Sequence, residues 1–327
     1  MIGYRLMSAA ALLYAALLPV GIAHAADAKV YRVGLISPGP PNLNLLGPAF
    51  ADDMAKRGYV PDKTIVFERR AAQGKLDRLP ALVQELVASH VDVIVTTIYP
   101  AAIAAKDNAG AIPIVVTQSG DPVETKLVAS LARPGGTITG VSEIAGELSA
   151  KRLQLLKEAV PSVHSVAVLW NADDLGMTLR YQAAQVAAEK LGMVIMPLGV
   201  HAPEDFETAF AGMNKTPPDA ILMVTDILTN LNRQRIIEYA NAHHIPTMFE
   251  YDSLAHDGGL LAYGPNVEDI FDRAAALTDR ILRGAKPAEL PLELPTRFQF
   301  AVNLKTAKAL GIAIPQSVQL RADDVIE

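Results

Sequence analysis

From residue 31 onward, short apolar runs alternate with segments whose apolar residues recur every three to four positions. YRVGLIS (31–37) reads as a strand, and 45–58 as a helix closed by Gly58. TIVFERR (64–70) is a second strand. DRLPALVQELVASH (77–90) places Leu79, Leu82, Val83, Leu86 and Val87 on one face, as an amphipathic helix does. VDVIVTT (91–97) and IPIVVTQ (112–118) are nearly continuous apolar runs, as expected of parallel strands covered on both faces. A helix from Pro100 to Asn108 joins them.

The order then repeats. HSVAVLWN (164–171), MVIMPLGV (193–200), DAILMVT (219–225) and IPTMFEY (245–251) read as strands, with helices over 176–191, 203–213 and around 230–243. Val33 aligns with Val166 and Ile112 with Ile245, each at an offset of 133. One βαβαβαβ unit is used twice. Strands alternating with helices imply a parallel sheet with right-handed crossovers in each half, so the fold class is α/β with two lobes. Residues 258–284 add a strand, a turn and a long helix, and 293–312 add a strand and a helix. These late segments are expected to complete both lobes and to create three crossings that act as a hinge. The first lobe is expected to hold 29–141 with 262–292, and the second 142–261 with 293–327. ARPGGTITG (132–140) is expected to turn into the first hinge strand.

Composition narrows the function. The chain has 327 residues, a net charge of −6 and no block of Lys or Arg, which disfavours nucleic-acid binding. Residues 1–25 are set apart: Arg5, an apolar stretch from Leu6 to Ala23 broken by Pro19, and the small-x-small site Ala23-His24-Ala25. That is the layout of a secretory signal peptide, with cleavage expected after Ala25. An uncleaved anchor is the rival reading, since the stretch is near membrane-span length. Loss of Arg5 takes the charge from −6 to −7. With no cysteine the chain has no disulfide, thiolate metal site or Cys nucleophile. The mature protein is expected in a bacterial periplasm.

In parallel sheets, ligands sit outside the carboxyl ends of the strands. Polar residues at those ends are therefore the candidate site: Ser37, Thr97, Tyr99, Ser119 and Asp121 from the first unit, and Asn171, Asp173, Thr225, Asp226, Glu250 and Tyr251 from the second. Capping is the bland alternative for Asp121, Asn171 and Asp226. Helix N-termini facing a cleft suit a carboxylate, and carboxylates there suit an ammonium, so an amino acid or related zwitterion meets both demands. Asp226 is the first choice for the ammonium and Asp121 the second. Thr97, Ser119 and nearby amides would take the carboxylate, and Tyr99, Trp170 and Tyr251 would flank a side group, unless Trp170 is core.

Other motifs carry less. SPGPPN (37–42) follows the first strand, but its prolines lack the N–H groups that cradle a pyrophosphate. His243-His244 is better explained by a helix C-terminus than by a metal. H-E-x-x-H, H-x-x-E-H and G-x-S-x-G are all missing, so no cofactor and no catalysis are expected.

The stretches VGLISPG, DRLPALVQELV, VDVIV, GDPVETKLVASLARPGGTITGVS, ELSAKRLQLLKEAVP, VAVLWN, GGLLAYGPN and VNLKTAKALGI resemble ABC transporter substrate-binding proteins of the tryptophan/tyrosine-binding-like group. These are periplasmic binding proteins of type I. The resemblance runs from about Tyr31 to Glu327. It implies two Rossmann-like lobes with parallel sheets, a multi-strand hinge, a small-molecule solute held between the lobes, and delivery to an ABC permease in the inner membrane by a monomer. It does not name the solute. Two rivals stand beside it: a sensory module that docks to a receptor after closing on a ligand, and a Rossmann-type enzyme.

Overall fold

A computed structural model describes residues 29–41 and 46–327. The signal-peptide reading of 1–25 lies outside the described residues. In the first unit, β1 (Tyr31–Ser37), α1 (Leu46–Lys56), β2 (Ile65–Ala71), α2 (Leu79–Ala88), β3 (Val93–Thr97), α3 (Ile98–Asn108), β4 (Ile114–Thr117) and β5 (Ile138–Gly140) follow in order. Their strands form one parallel sheet, β2-β1-β3-β4-β5.

After α4 (Ala145–Ala159) the second unit runs β6 (Ser165–Asn171), α5 (Leu175–Lys190), β7 (Val194–Val200), α6 (Asp205–Lys215), β8 (Ala220–Met223), α7 (Ile227–Leu231), α8 (Arg233–Ala242), β9 (Thr247–Phe249) and α9 (Asp252–His256). The chain ends with β10 (Leu261–Pro265), α10 (Val267–Leu282), β11 (Phe298–Asn303), α11 (Leu304–Leu310), α12 (Gln316–Gln319) and β12 (Asp324–Ile326). The second sheet is ordered β12-β11-β10-β9-β8-β6-β7. Its β7-β6-β8-β9 block has the order of β2-β1-β3-β4, so the repeat in the sequence is a repeat in topology. The helix expected around 230–243 is two pieces, α7 and α8, meeting at Asn232.

Each sheet is covered on both faces, which is why its strands are apolar without alternation. Val33, Leu35, Val93 and Val95 join α1 and α10 on one side of the first sheet, while Ile36, Ile94, Ile114 and Val116 meet α2 and α3 on the other. In α10, Ile270, Phe271, Ala274, Leu277 and Ile281 recur at helical spacing and are buried against the first sheet. Burying a Leu, Ile or Phe side chain is worth about 1.5–3 kcal/mol, so this stripe fixes α10 to the first lobe.

The strand that precedes α10 belongs to the other lobe. β10 pairs with β9 and, antiparallel, with β11. Residues 262–265, expected in the first lobe, therefore lie in the second, and the crossing falls at Asn266. The reason is that Tyr263 and its neighbours complete a ladder that β9 leaves open. The three crossings are tied together. Val141 bridges Glu293, Ser142 N–H donates to the Glu293 carbonyl at 2.9 Å, and Asn266 N–H donates to the Arg297 carbonyl at 2.9 Å. Asp269 accepts from Thr296 N–H at 3.0 Å and from Arg273 and Arg297.

Candidate ligand-binding site

The carboxyl ends of the two sheets face each other. Between them lies a cavity of about 90 Å³. Ser37, Thr97, Ile98 and Gln118 line it from the first lobe. Thr225, Asp226, Ile227, Asn230, Tyr251, Ser253 and Leu254 line it from the second, and Val267 closes one side.

Asp226 sits at its floor, 2% exposed, directly after β8. It begins α7 with a reciprocal cap: its Oδ1 accepts from Thr229 N–H at 2.9 Å, and Thr229 Oγ1 accepts from Asp226 N–H at 2.9 Å. Its Oδ2 accepts from Asn171 Nδ2 at 2.6 Å. Burial nevertheless pushes the Asp226 carboxyl above its ordinary range, against the lowering effect of those hydrogen bonds. Capping and a cavity position coexist in this one residue.

On the opposite wall, Thr97 precedes α3 in extended conformation and makes no side-chain cap. Of α3 itself only Ile98 lines the cavity, for Tyr99 and Pro100 line an outer groove and Pro100 has no N–H to offer, so Thr97, Ile98 and the positive end of the helix dipole are what this end of α3 presents. Ile98 and Gln118 hold φ of +63° and +53°, left-handed values that cost a β-branched residue energy and that concentrate at functional sites.

A buried charge network stands beside the cavity. Arg180 Nη1 donates to Glu250 Oε2 at 2.9 Å, and its Nη2 pairs with Glu143. Arg152 pairs with Glu250 Oε1 at 2.9 Å, and Thr225 N–H donates to Glu250 at 3.0 Å. Burial alone would raise Glu250, but Arg180 and Arg152 hold it below its ordinary range. Tyr251 O–H donates to Glu143 at 2.9 Å and accepts from Gln118 Nε2 at 3.1 Å. Burial and the neighbouring glutamates keep its phenol well above the usual range. Gln118 and Tyr251 stand 133 positions apart, the offset of the repeat, so equivalent positions of the two units meet across the cleft.

The structure brings Ser37, Thr97, Thr225, Asp226 and Tyr251 together at the cavity, with Asn171 behind Asp226. Other candidates lie elsewhere. Asp121 is spent on its own turn, accepting from Val123 and Glu124 N–H at 2.8 and 3.0 Å, and it does not line the cavity. Asp173 is exposed and pairs with His201 at 2.7 Å. With Tyr99 it lines a separate outer groove. Ser119 is fully buried where the lobes touch. Trp170 stacks on Tyr181, ring centroids 3.8 Å apart, in the second lobe's core. His243 Nδ1 contacts the Tyr239 carbonyl at 2.8 Å within its own helix.

Gln118, Asn230, Ser253 and the Arg152–Arg180–Glu143 network escaped the sequence reading. Asn230 had a signal, since it falls four residues after Asp226 on one helix face. The arginines had none, because they are interior helix positions that become neighbours only through α4 and α5.

Comparison with known proteins decides the family. The sequence pattern described as ABC transporter substrate binding protein matches residues 41–326. The chain belongs to that family. Among curated relatives, the tyrosine-binding protein of Clostridioides difficile (strain R20291) is 24% identical over 286 residues, 87% of this chain and 80% of its own. Two solved structures superpose closely on this substrate-binding protein. A conserved domain protein from Vibrio cholerae gives a TM-score of 0.86 at 26% identity, covering 91% of this chain and 100% of its own. An ABC domain from Streptococcus pneumoniae in complex with L-Trp gives 0.85 at 24% identity with the same coverage. The ligand-free, open structure of a substrate-binding protein from Clostridium difficile gives 0.68 at 22% identity, covering 91% of this chain and 99% of its own. The family is one of solute-binding proteins, not of enzymes. Among the described residues, no helix is long and apolar enough to cross a membrane.

Proposed function

We propose that this substrate-binding protein captures an amino acid between its lobes and presents it to the permease of an ABC importer, in the periplasm after loss of the signal peptide. One observation carries the reading. The uncapped start of α3 on the first lobe, at Thr97 and Ile98, shares the cavity with a buried carboxylate, Asp226, on the second. A zwitterion spans that gap with its carboxylate on Thr97 and the start of α3 at Ile98, and its ammonium on Asp226. Ile98, Ile227, Leu254 and Val267 form the apolar wall for a side group, with Tyr251 as the aromatic residue at the cavity.

The tyrosine-binding relative and the L-Trp complex support an amino acid over a sugar or an ion. The cavity of about 90 Å³ is far below the roughly 300–1,000 Å³ of ordinary ligand pockets, so entry requires the lobes to part. The three crossings between the lobes, tied to one another at Val141–Glu293 and Asn266–Arg297, supply a hinge. Contacts from both lobes exist only in the closed form, so binding shifts the equilibrium toward closure.

Titration calorimetry across the proteinogenic amino acids tests the proposal. Asp226→Asn keeps the helix cap and removes the charge, and its binder should lose roughly ten- to a hundredfold in affinity, the worth of a charged hydrogen bond. A loss under about threefold would remove Asp226 from the ammonium site.

A further inference from the structure

Four buried carboxyl groups stand near the junction of the lobes: Glu143, Asp174, Asp226 and Glu250. Among the described residues only Arg152 and Arg180 form ion pairs with them, and both are committed to Glu143 and Glu250. Asp174 and Asp226 form no ion pair among the described residues. A zwitterion brings no net charge, so the amino-acid reading leaves one of these carboxylates unmatched, and an unpaired buried charge is costly.

Asp174 is the unmatched one. It is 2% exposed, and its Oδ1 caps α5 by accepting from Met177 N–H at 3.2 Å. Its Oδ2 is buried with no hydrogen-bond partner. Capping uses half of the carboxylate and leaves the other half idle, which is unusual for a buried oxygen. Where it sits, the lobes meet. A methyl group built on Gly176 would come 3.2 Å from Asp174 Oδ1, 3.5 Å from the Tyr99 Cβ and 3.6 Å from the Ser119 carbonyl, the last two on the opposite lobe. Asp174 also lines the outer groove of about 330 Å³, whose floor includes Leu79, Pro80, Pro100 and Ile103. Asn171 links this place to the inner cavity, with its side chain on Asp226 and its carbonyl accepting from Asp174 N–H at 3.4 Å. Burial, then the charge of Asp226, push the Asp174 carboxyl up to about 6.

We propose that Asp174 is a second cation-binding carboxylate of the cleft and that the preferred solute is a dibasic amino acid of the lysine type. The inference rests on the amino-acid reading. The α-carboxylate and α-ammonium occupy α3 and Asp226. The side-chain ammonium reaches Asp174 and the Ser119 carbonyl, so that closure matches every buried charge.

Lysine and norleucine, which differ by that ammonium, are the probes for calorimetry at pH 7.5. Lysine should bind at least about tenfold more tightly, as a charged hydrogen bond provides. In Asp174→Asn the lysine-to-norleucine ratio should collapse toward one. A merely structural role would weaken both probes together and leave the ratio intact, which would overturn the proposal. Norleucine binding as well as lysine to the unmodified protein would overturn it too, while leaving the amino-acid reading standing. Failure of every proteinogenic amino acid to bind would end both.

Discussion

Replacing Arg180 by Met removes the one cation that joins Glu143 to Glu250. Arg180 is 3% exposed and pairs with both glutamates. Without it Glu250 keeps Arg152 at 2.9 Å and Thr225 N–H at 3.0 Å, whereas Glu143 keeps, among the described residues, the Tyr251 hydroxyl at 2.9 Å. Breaking a buried pair by deleting one partner costs about 3–5 kcal/mol, because the survivor stays desolvated. For a chain of this size that is roughly 5–8 °C in Tm. The pH dependence gives the cause. In the unmodified protein Glu250 lies below its ordinary range, so its contribution is present above the unfolded pKa and is lost as pH falls through the native value. In the variant burial is less opposed, the native pKa rises, and the penalty is greatest at neutral and alkaline pH. The gap between the two proteins should therefore narrow as pH falls from 8 toward 4. Urea melts followed by circular dichroism at several pH values measure it. Adding Glu143→Gln to the variant should recover part of the loss. A gap below about 1 kcal/mol, within the range of an exposed pair, or one flat across pH, would refute the reasoning.

Other consequences follow from the same cleft. Asp174→Asn retains a good N-cap but removes a carboxyl raised to about 6. A raised carboxyl costs stability above its native pKa and nothing below its unfolded one, so the variant should be more stable without ligand by about 3 kcal/mol at pH 8, with the gain gone near pH 4. Thermal melts at the two pH values read this directly. Gly176→Leu places a side chain in the first turn of α5, where the lobes touch. Scattering should show the variant failing to compact with a bound amino acid, at the cost of some ligand-free stability because the new Cβ also crowds the Asp174 cap oxygen. Tyr251→Phe removes the hydroxyl between Gln118 and Glu143, and about 0.5–1.5 kcal/mol of closed-state stabilisation should appear as up to tenfold weaker binding.

Much of this arrangement was legible as pattern because buried parallel strands cannot hide: VDVIVTT and IPIVVTQ are apolar on both faces, and their polar ends mark the cleft. The matched offsets of Val33 with Val166 and of Ile112 with Ile245 mark the duplication in the sequence itself. What pattern could not supply is direction. Asp121 and Asp226 follow strands in the same way, yet one carboxylate turns back onto Val123 and Glu124 while the other ends at the cavity floor. The difference lies in what comes next. Asp226 opens a helix whose Thr229 and Ile227 are buried, which pins the aspartate inside, whereas Asp121 opens an irregular turn at the lobe's surface. The boundary at β10 was misread for a related reason, since a strand's lobe is set by its ladder partners and GGLLAYGPN is equally compatible with either sheet. Gln118 makes the same point from the other side. Alone it is an unremarkable polar residue after a strand, but the repeat places it opposite Tyr251, its own counterpart in the second unit. Duplication therefore does more than build two similar lobes. Equivalent strand ends of the two units confront each other across the cleft, so small differences between counterparts, such as a glutamine against a tyrosine, become the opposed chemistry on which the proposed capture of a dipolar solute rests.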